Sequence, residues 1–180
     1  MVTPEPSHLQ IQMFEAYNWC IANGVPPRLA VLKARQVYGS TAAAHICYHH
    51  TRRFRLNGLM MADDVSRTQG LWDMLGRFAD SDEFAAHWNT QWNATADRVR
   101  CTWKEKDGTE CEHLWGRETA SDPKAGAAGT WQVMWFSEAA RYPKTGVAQD
   151  SMVIGNAINA MPPRPHTLAI METTAEGPTG

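Results

Sequence analysis

The chain has 180 residues, 43% apolar and 20% charged, enough for one domain with a real core. Its net charge of −2 excludes a protein that coats nucleic acid by charge alone, and no apolar run approaches membrane-spanning length. Four cysteines, at 20, 47, 101 and 111, form no CxxC pair and no dense framework, and no signal peptide precedes them, so they read as reduced thiols of a cytoplasmic protein.

Leu9, Met13, Phe14, Tyr17 and Ile21 recur at helical spacing, which predicts a helix over 8–23 stopped by Gly24. After a Pro26-Pro27 turn, Arg28 to Leu32 reads as a strand and Ser40 to Phe54 as a helix opening directly after Gly39. Gly58 to Ala62 is a compact apolar strand. Ser66 with Gln69 forms a capping-box pattern for a helix bearing Leu71, Trp72, Leu75 and Phe78, and Ser81 caps a further helix through Trp88. Val99 to Trp103 and Thr109 to Trp115 flank Lys106-Asp107-Gly108, a hairpin signal. Trp131 to Phe136 is a strand, 152–160 a helix broken by the proline-rich 162–165 segment, and Thr167 to Met171 a last strand. Strands alternating with helices predict an α/β fold: a mainly parallel sheet of about five strands, flanking helices and one hairpin insertion.

Charge is segregated. No Asp or Glu occurs from Ala16 to Ala62, whereas Arg28, Lys33, Arg35, Arg52, Arg53 and Arg55 do. Such a stretch suits a polyphosphate ligand, the alternative being chance segregation on a solvated surface. Within it, Ala34-x-x-x-x-Gly39-Ser40-Thr41 fits the frame of a phosphate-binding P-loop, G-x-x-x-x-G-K-[ST], with Ala for the first glycine and Ser40 where lysine belongs. Lys33 or Arg35 then supplies the missing charge, and a hydroxyl of Ser40 or Thr41 is available to Mg²⁺. The alternative is a tight strand–helix turn with surface basic residues. Downstream, Glu138 follows a buried strand at its C-terminal edge, where a carboxylate can polarise an attacking water. Ser137 stands where a metal-holding Asp is usual. The alternative there is an N-cap pair opening a short helix over 139–141.

Other groupings carry less. Cys101, Cys111 and His113 flank the hairpin but lack a fourth zinc ligand. His45 and His49, with His50, are more consistent with helix packing than with a metal. Trp88, Trp92 and Trp103 suit core packing better than base stacking.

Three stretches together resemble the large subunit of tailed-bacteriophage terminases, the ATPase that packages DNA into proheads. Lys33-Ala34-Arg35-Gln36-Val37-Tyr38-Gly39-Ser40-Thr41 is similar to that family's deviant Walker A loop. Phe136-Ser137-Glu138-Ala139-Ala140-Arg141-Tyr142-Pro143 is similar to its Walker B region, and Glu172-Thr173-Thr174-Ala175-Glu176-Gly177-Pro178 to its coupling motif. The resemblance covers about residues 29–180. It implies a P-loop NTPase-like domain over 28–180 behind a helical lead-in, 1–27, and ending before the family's nuclease domain. It further implies ATP held by Lys33, Ala34, Arg35, Gln36, Gly39, Ser40 and Thr41, and Mg²⁺ at Ser40, Thr41 and Ser137. Glu138 is then catalytic, and Thr173 and Thr174 couple hydrolysis to DNA movement. Implied partners are double-stranded DNA, a portal protein, a small terminase subunit and further copies in a ring, in the cytoplasm of a bacterial host. In the family register Tyr38 falls at the usual glycine and Gly39 at the usual lysine. An arginine often present in the 123–129 loop is lacking, leaving Arg117, Lys124 or a neighbouring subunit to supply transition-state charge. Two other readings stay open: a catalytically inactive remnant that binds nucleotide weakly, and a nucleic-acid-binding module built on the basic 28–55 segment.

Overall fold

The structure, a computed structural model, describes residues 5–34, 37–81, 92–93, 95–104, 107–122, 124–126, 129–146 and 149–175. Chain order is α1 (His8–Ala22), β1 (Arg28–Lys33), α2 (Gly39–Phe54), β2 (Gly58–Ala62), α3 (Val65–Ser81), β3 (Arg98–Lys104), β4 (Glu110–Thr119), β5 (Val133–Ser137), a 3-10 turn (Ala139–Arg141), α4 (Asp150–Asn159) and β6 (Leu168–Thr174). They build one six-stranded sheet in the order β1-β6-β5-β2-β4-β3. Every neighbouring pair is parallel except β3–β4.

Local chemistry explains most boundaries. Ser7 caps α1 by accepting from the Gln10 amide, while the Gln10 side chain reaches back to the Ser7 N–H, a reciprocal pair that satisfies two otherwise orphaned donors. β2 and β5 are buried at every position, as expected of parallel strands covered on both faces. Alternate residues divide between two cores. Met60, Ala62, Val133, Trp135, Leu168 and Ile170 pack beneath α1, α2 and α3. Leu59, Met61, Met134, Phe136 and Ala169 pack on the other face with Val153 and Ala157 of α4.

The hairpin differs from its sequence reading. β4 runs four residues past Trp115 because its two halves have different partners. Residues 110–116 pair with β3, and 115–119 pair in parallel with β2. The hairpin is therefore continuous with the sheet, and β3 is its antiparallel edge. The helix expected through Trp88 lies outside the described residues. Trp92 packs against Trp72 at 4.5 Å between ring centroids. The rings of His45 and His49 lie 4.3 Å apart, with Phe14 and Phe78 set edge-on to His45. These are packing roles. The four cysteines are free thiols, and among the described residues no three His, Cys, Asp or Glu side chains are grouped to hold a metal. No described helix is long and apolar enough to cross a membrane.

Candidate active site

Three adjacent parallel strands, β1, β6 and β5, end side by side. Their register places Lys33 beside Thr174, and Ser137 beside Glu172. The carboxyl ends of strands are where ligands of open α/β sheets bind. Here α2 starts above them, and its first turn has no side-chain cap. Unsatisfied amide N–H groups and the positive end of the helix dipole thus face this point, which favours an anion. A cleft of about 450 Å³ opens there, lined by Lys33, Ala34, Gly39, Ser40, Glu138 and Thr174, together with Val37, Tyr38, Arg67 and Arg141.

The turn into α2 is tight. Tyr38 has a left-handed backbone, φ 55°, the conformation a glycine would adopt without strain. Gly39 is the first residue of α2. A Cβ on Gly39 would meet Lys33 Cδ at 2.9 Å and Leu9 Cδ2 at 3.2 Å. The missing side chain thus leaves room for Lys33 to cross the start of the helix from the end of β1. Ser7 Oγ donates to the Val37 carbonyl at 2.9 Å, and Gln10 Nε2 to the Tyr38 carbonyl at 3.4 Å, so the first turn of α1 clasps the same loop.

Lys33 Nζ donates to Ser40 Oγ at 3.0 Å and to Glu138 Oε1 at 3.2 Å, and forms an ion pair with Glu172 Oε2. Ser40 Oγ donates to Glu172 Oε1 at 3.0 Å, and Ser137 Oγ to the same oxygen at 2.5 Å. Glu138, also left-handed at φ 53°, turns its carboxylate back over the strand ends. There it accepts the Thr174 hydroxyl at 2.6 Å and the Thr174 amide at 3.0 Å. Burial works to raise the Glu138 pKa, but the two Thr174 donors and the Lys33 charge outweigh it and hold the carboxyl below its ordinary range. Arg141 Nε stands 3.8 Å from Glu138 Oε2. Thr173 Oγ1 accepts the Ala140 amide at 3.4 Å, tying β6 to the turn after Glu138.

Several expected site residues therefore come together: Lys33, Ala34, Gly39, Ser40, Glu138 and Thr174 share one cleft. Arg35 and Gln36 lie outside the described residues. Thr41 is half-buried in α2 and does not line the cleft, and Ser137 is buried behind it with its hydroxyl given to Glu172. The N-cap alternative is not what forms, since the 3-10 turn after Glu138 has no side-chain cap. The basic segment is also divided. Arg52, Arg53 and Arg55 sit at the C-terminal end of α2, about 20 Å from its start at 1.5 Å per residue. Arg28 bonds the Thr167 carbonyl at the opposite end of β1. Arg117 lines a second cleft and pairs with Asp97 at 3.1 Å. The sequence reading quoted Glu172 at the head of the coupling motif and Arg141 within the Walker B-like stretch without a separate role for either, and did not single out Arg67. The available signal for Glu172 was that motif position after the apolar run Leu168–Met171; for Arg141 it was a position one turn after Glu138.

Sheet order, helix placement and cleft define a mixed α/β domain with an anion-suited site at the ends of its parallel strands. The fold is that of the ATPase domain of phage large terminases. The chain superposes on the large-terminase ATPase domain of Thermus phage P74-26 with a TM-score of 0.70 at 16% identity, over 96% of this chain and 66% of that one. A point mutant of the same domain gives 0.70 at 17%, over 97% and 67%. The large terminase of a second, thermophilic bacteriophage, in complex with ADP, gives 0.63 at 11%, over 94% of this chain and 39% of that one. No protein-family model and no curated protein sequence matches the chain.

Proposed function

We propose that this chain is the ATP-hydrolysing part of a large-terminase DNA-packaging motor. The observation that carries this reading is the convergence of Lys33, Ser40 and Glu138 at the uncapped start of α2. The α2 amides and Lys33 receive the phosphates, with Ala34 and Gly39 forming the loop wall and Arg35 and Gln36 completing the loop in sequence. Glu138, kept ionised by Thr174 and Lys33, accepts a hydrogen bond from the attacking water and orients it towards the γ-phosphate. Arg67 and Arg141 also line the cleft and add positive charge to that of Lys33. Thr174 bonds Glu138 directly, and Thr173 bonds the following turn. A change at the γ-phosphate thereby reaches β6.

Mg²⁺ fits the hard oxygen donors beside Lys33. Of the three hydroxyls Ser40, Thr41 and Ser137, Ser40 is the one that lines the cleft, which supports it as the ligand. When bound, Mg²⁺ draws charge from the phosphate oxygens. Double-stranded DNA, a portal protein, a small terminase subunit and a ring of copies in a bacterial cytoplasm belong to the same proposal.

A second reading, nucleotide binding without turnover, is favoured by Gly39 and Ser137 standing where lysine and aspartate are usual. Mg²⁺-dependent ATP hydrolysis by the chain, beside Glu138→Gln, separates the two. The proposal expects turnover that falls about 10²-fold or more in the variant while ATP binding persists. Nucleotide binding with no wild-type turnover, alone or with DNA, establishes the second reading. Neither turnover nor nucleotide-dependent thermal stabilisation removes both.

A further inference from the structure

Glu172 is fully buried in β6 and meets three polar side chains: Lys33, Ser40 and Ser137. We propose that Glu172 supplies the metal-side carboxylate that β5 lacks, so that Ser40 and Glu172 are the protein ligands of the Mg²⁺ that accompanies a nucleoside triphosphate. This rests on the reading of the cleft as a triphosphate site.

Position comes first. Ser137 and Glu172 are register partners on adjacent parallel strands, which lie about 4.8 Å apart. Glutamate is one methylene longer than aspartate, and Glu172 uses that length to lean back to β5, where Ser137 Oγ meets it at 2.5 Å. The carboxylate is thereby carried to the end of β5 from the neighbouring strand.

Donor spacing comes second. Octahedral Mg²⁺ holds oxygens at about 2.05 Å, so two adjacent ligands stand about 2.9 Å apart. Ser40 Oγ and Glu172 Oε1 are 3.0 Å apart. The pair already has the separation of neighbouring octahedral vertices. Two protein oxygens, with the rest from phosphate and water, is the usual composition for this ion.

Third, the alternative ligand is committed elsewhere. Ser137 and Glu172 both lie just beneath the cleft lining, and the Ser137 hydroxyl donates its proton to Glu172. It orients the carboxylate. Lys33 neutralises Glu172 in the nucleotide-free chain, a place a cation takes over once the ammonium turns to phosphate.

The test is binding of a fluorescent ADP analogue by the purified chain, in EDTA and in Mg²⁺, for wild type, Glu172→Gln and Glu172→Asp. Wild type should gain at least about tenfold in affinity from Mg²⁺. Glu172→Gln should lose most of that gain, read as the ratio of Mg²⁺ to EDTA affinity within the variant, since the freed Lys33 ammonium also changes the EDTA affinity itself. Glu172→Asp keeps the charge but shortens the reach, so it should lose part of the gain, and it decides the matter if Glu172→Gln does not fold. Full Mg²⁺ enhancement in either folded variant overturns this inference and leaves the nucleotide site intact. No wild-type binding in either condition overturns the triphosphate reading and this inference with it.

Discussion

Replacing Lys33 by Met isolates what its charge does for the nucleotide-free fold. The aliphatic stem is preserved and only the ammonium is lost. That ammonium, on a side chain 8% exposed, faces one carboxylate 10% exposed and one fully buried. Removing one partner of a buried ion pair costs about 3–5 kcal/mol. Glu172 keeps hydrogen bonds from Ser40 and Ser137, which places Lys33→Met near the lower bound, about 3 kcal/mol. For a chain of this size that is a fall in Tm of about 6–12 °C. The assay is urea denaturation at neutral pH without nucleotide, run as a cycle with Glu172→Gln. The double variant should recover a coupling of about 2 kcal/mol, because the stranded charge is removed with its partner. A loss below about 1 kcal/mol in Lys33→Met, or a cycle that closes at zero, refutes the ion pair as a structural element.

Tyr38→Gly should be neutral or stabilising by about 1 kcal/mol in urea melts, since an exposed tyrosine now holds the left-handed position; a clear loss would mean that the ring itself supports the loop. Gly58→Ala should destabilise by about 1–3 kcal/mol, because its Cβ would stand 2.8 Å from three ring atoms of fully buried Trp115; an unchanged urea midpoint contradicts that packing. Burial lowers both His50 and His113 to a pKa of about 4. The unfolded chain, with histidines near 6.5, binds more protons between these values, so stability should fall as pH drops from about 6.5 to 4. Replacing both histidines by Gln should flatten that slope in pH-dependent melts. Glu138, held below its ordinary range, contributes stability present above about pH 4.3 and lost as pH falls through its folded value; Glu138→Gln should remove that acid-side step.

The fold was legible where one segment carries its own signal. The apolar runs in β1, β2 and β5, the helical period of α1 and the glycine opening α2 are local facts, and each element appeared where these placed it. β4 was half legible: its first part alternates as a hairpin strand, but pairing of 115–119 with β2 depends on sheet order. The site shows the same division. Lys33, Ser40 and Glu138 could be read from motif frames. Glu172 could be placed in the coupling motif, but its contacts with Lys33, Ser40 and Ser137 depend on β6 lying between β1 and β5. The basic run was divided for a related reason: β1 carries Lys33 to the cleft, whereas α2 carries Arg52, Arg53 and Arg55 away from it.

The clasp of α1 on the loop bears on how the chain can be divided. Residues 1–27 look like a lead-in, yet Ser7 and Gln10 hold the carbonyls of Val37 and Tyr38, and Leu9 abuts Gly39. A fragment begun at Arg28 would keep every strand and lose these contacts to the turn before α2. Tension or a binding partner acting on the N-terminal helix would be felt at this turn through Ser7, Leu9 and Gln10.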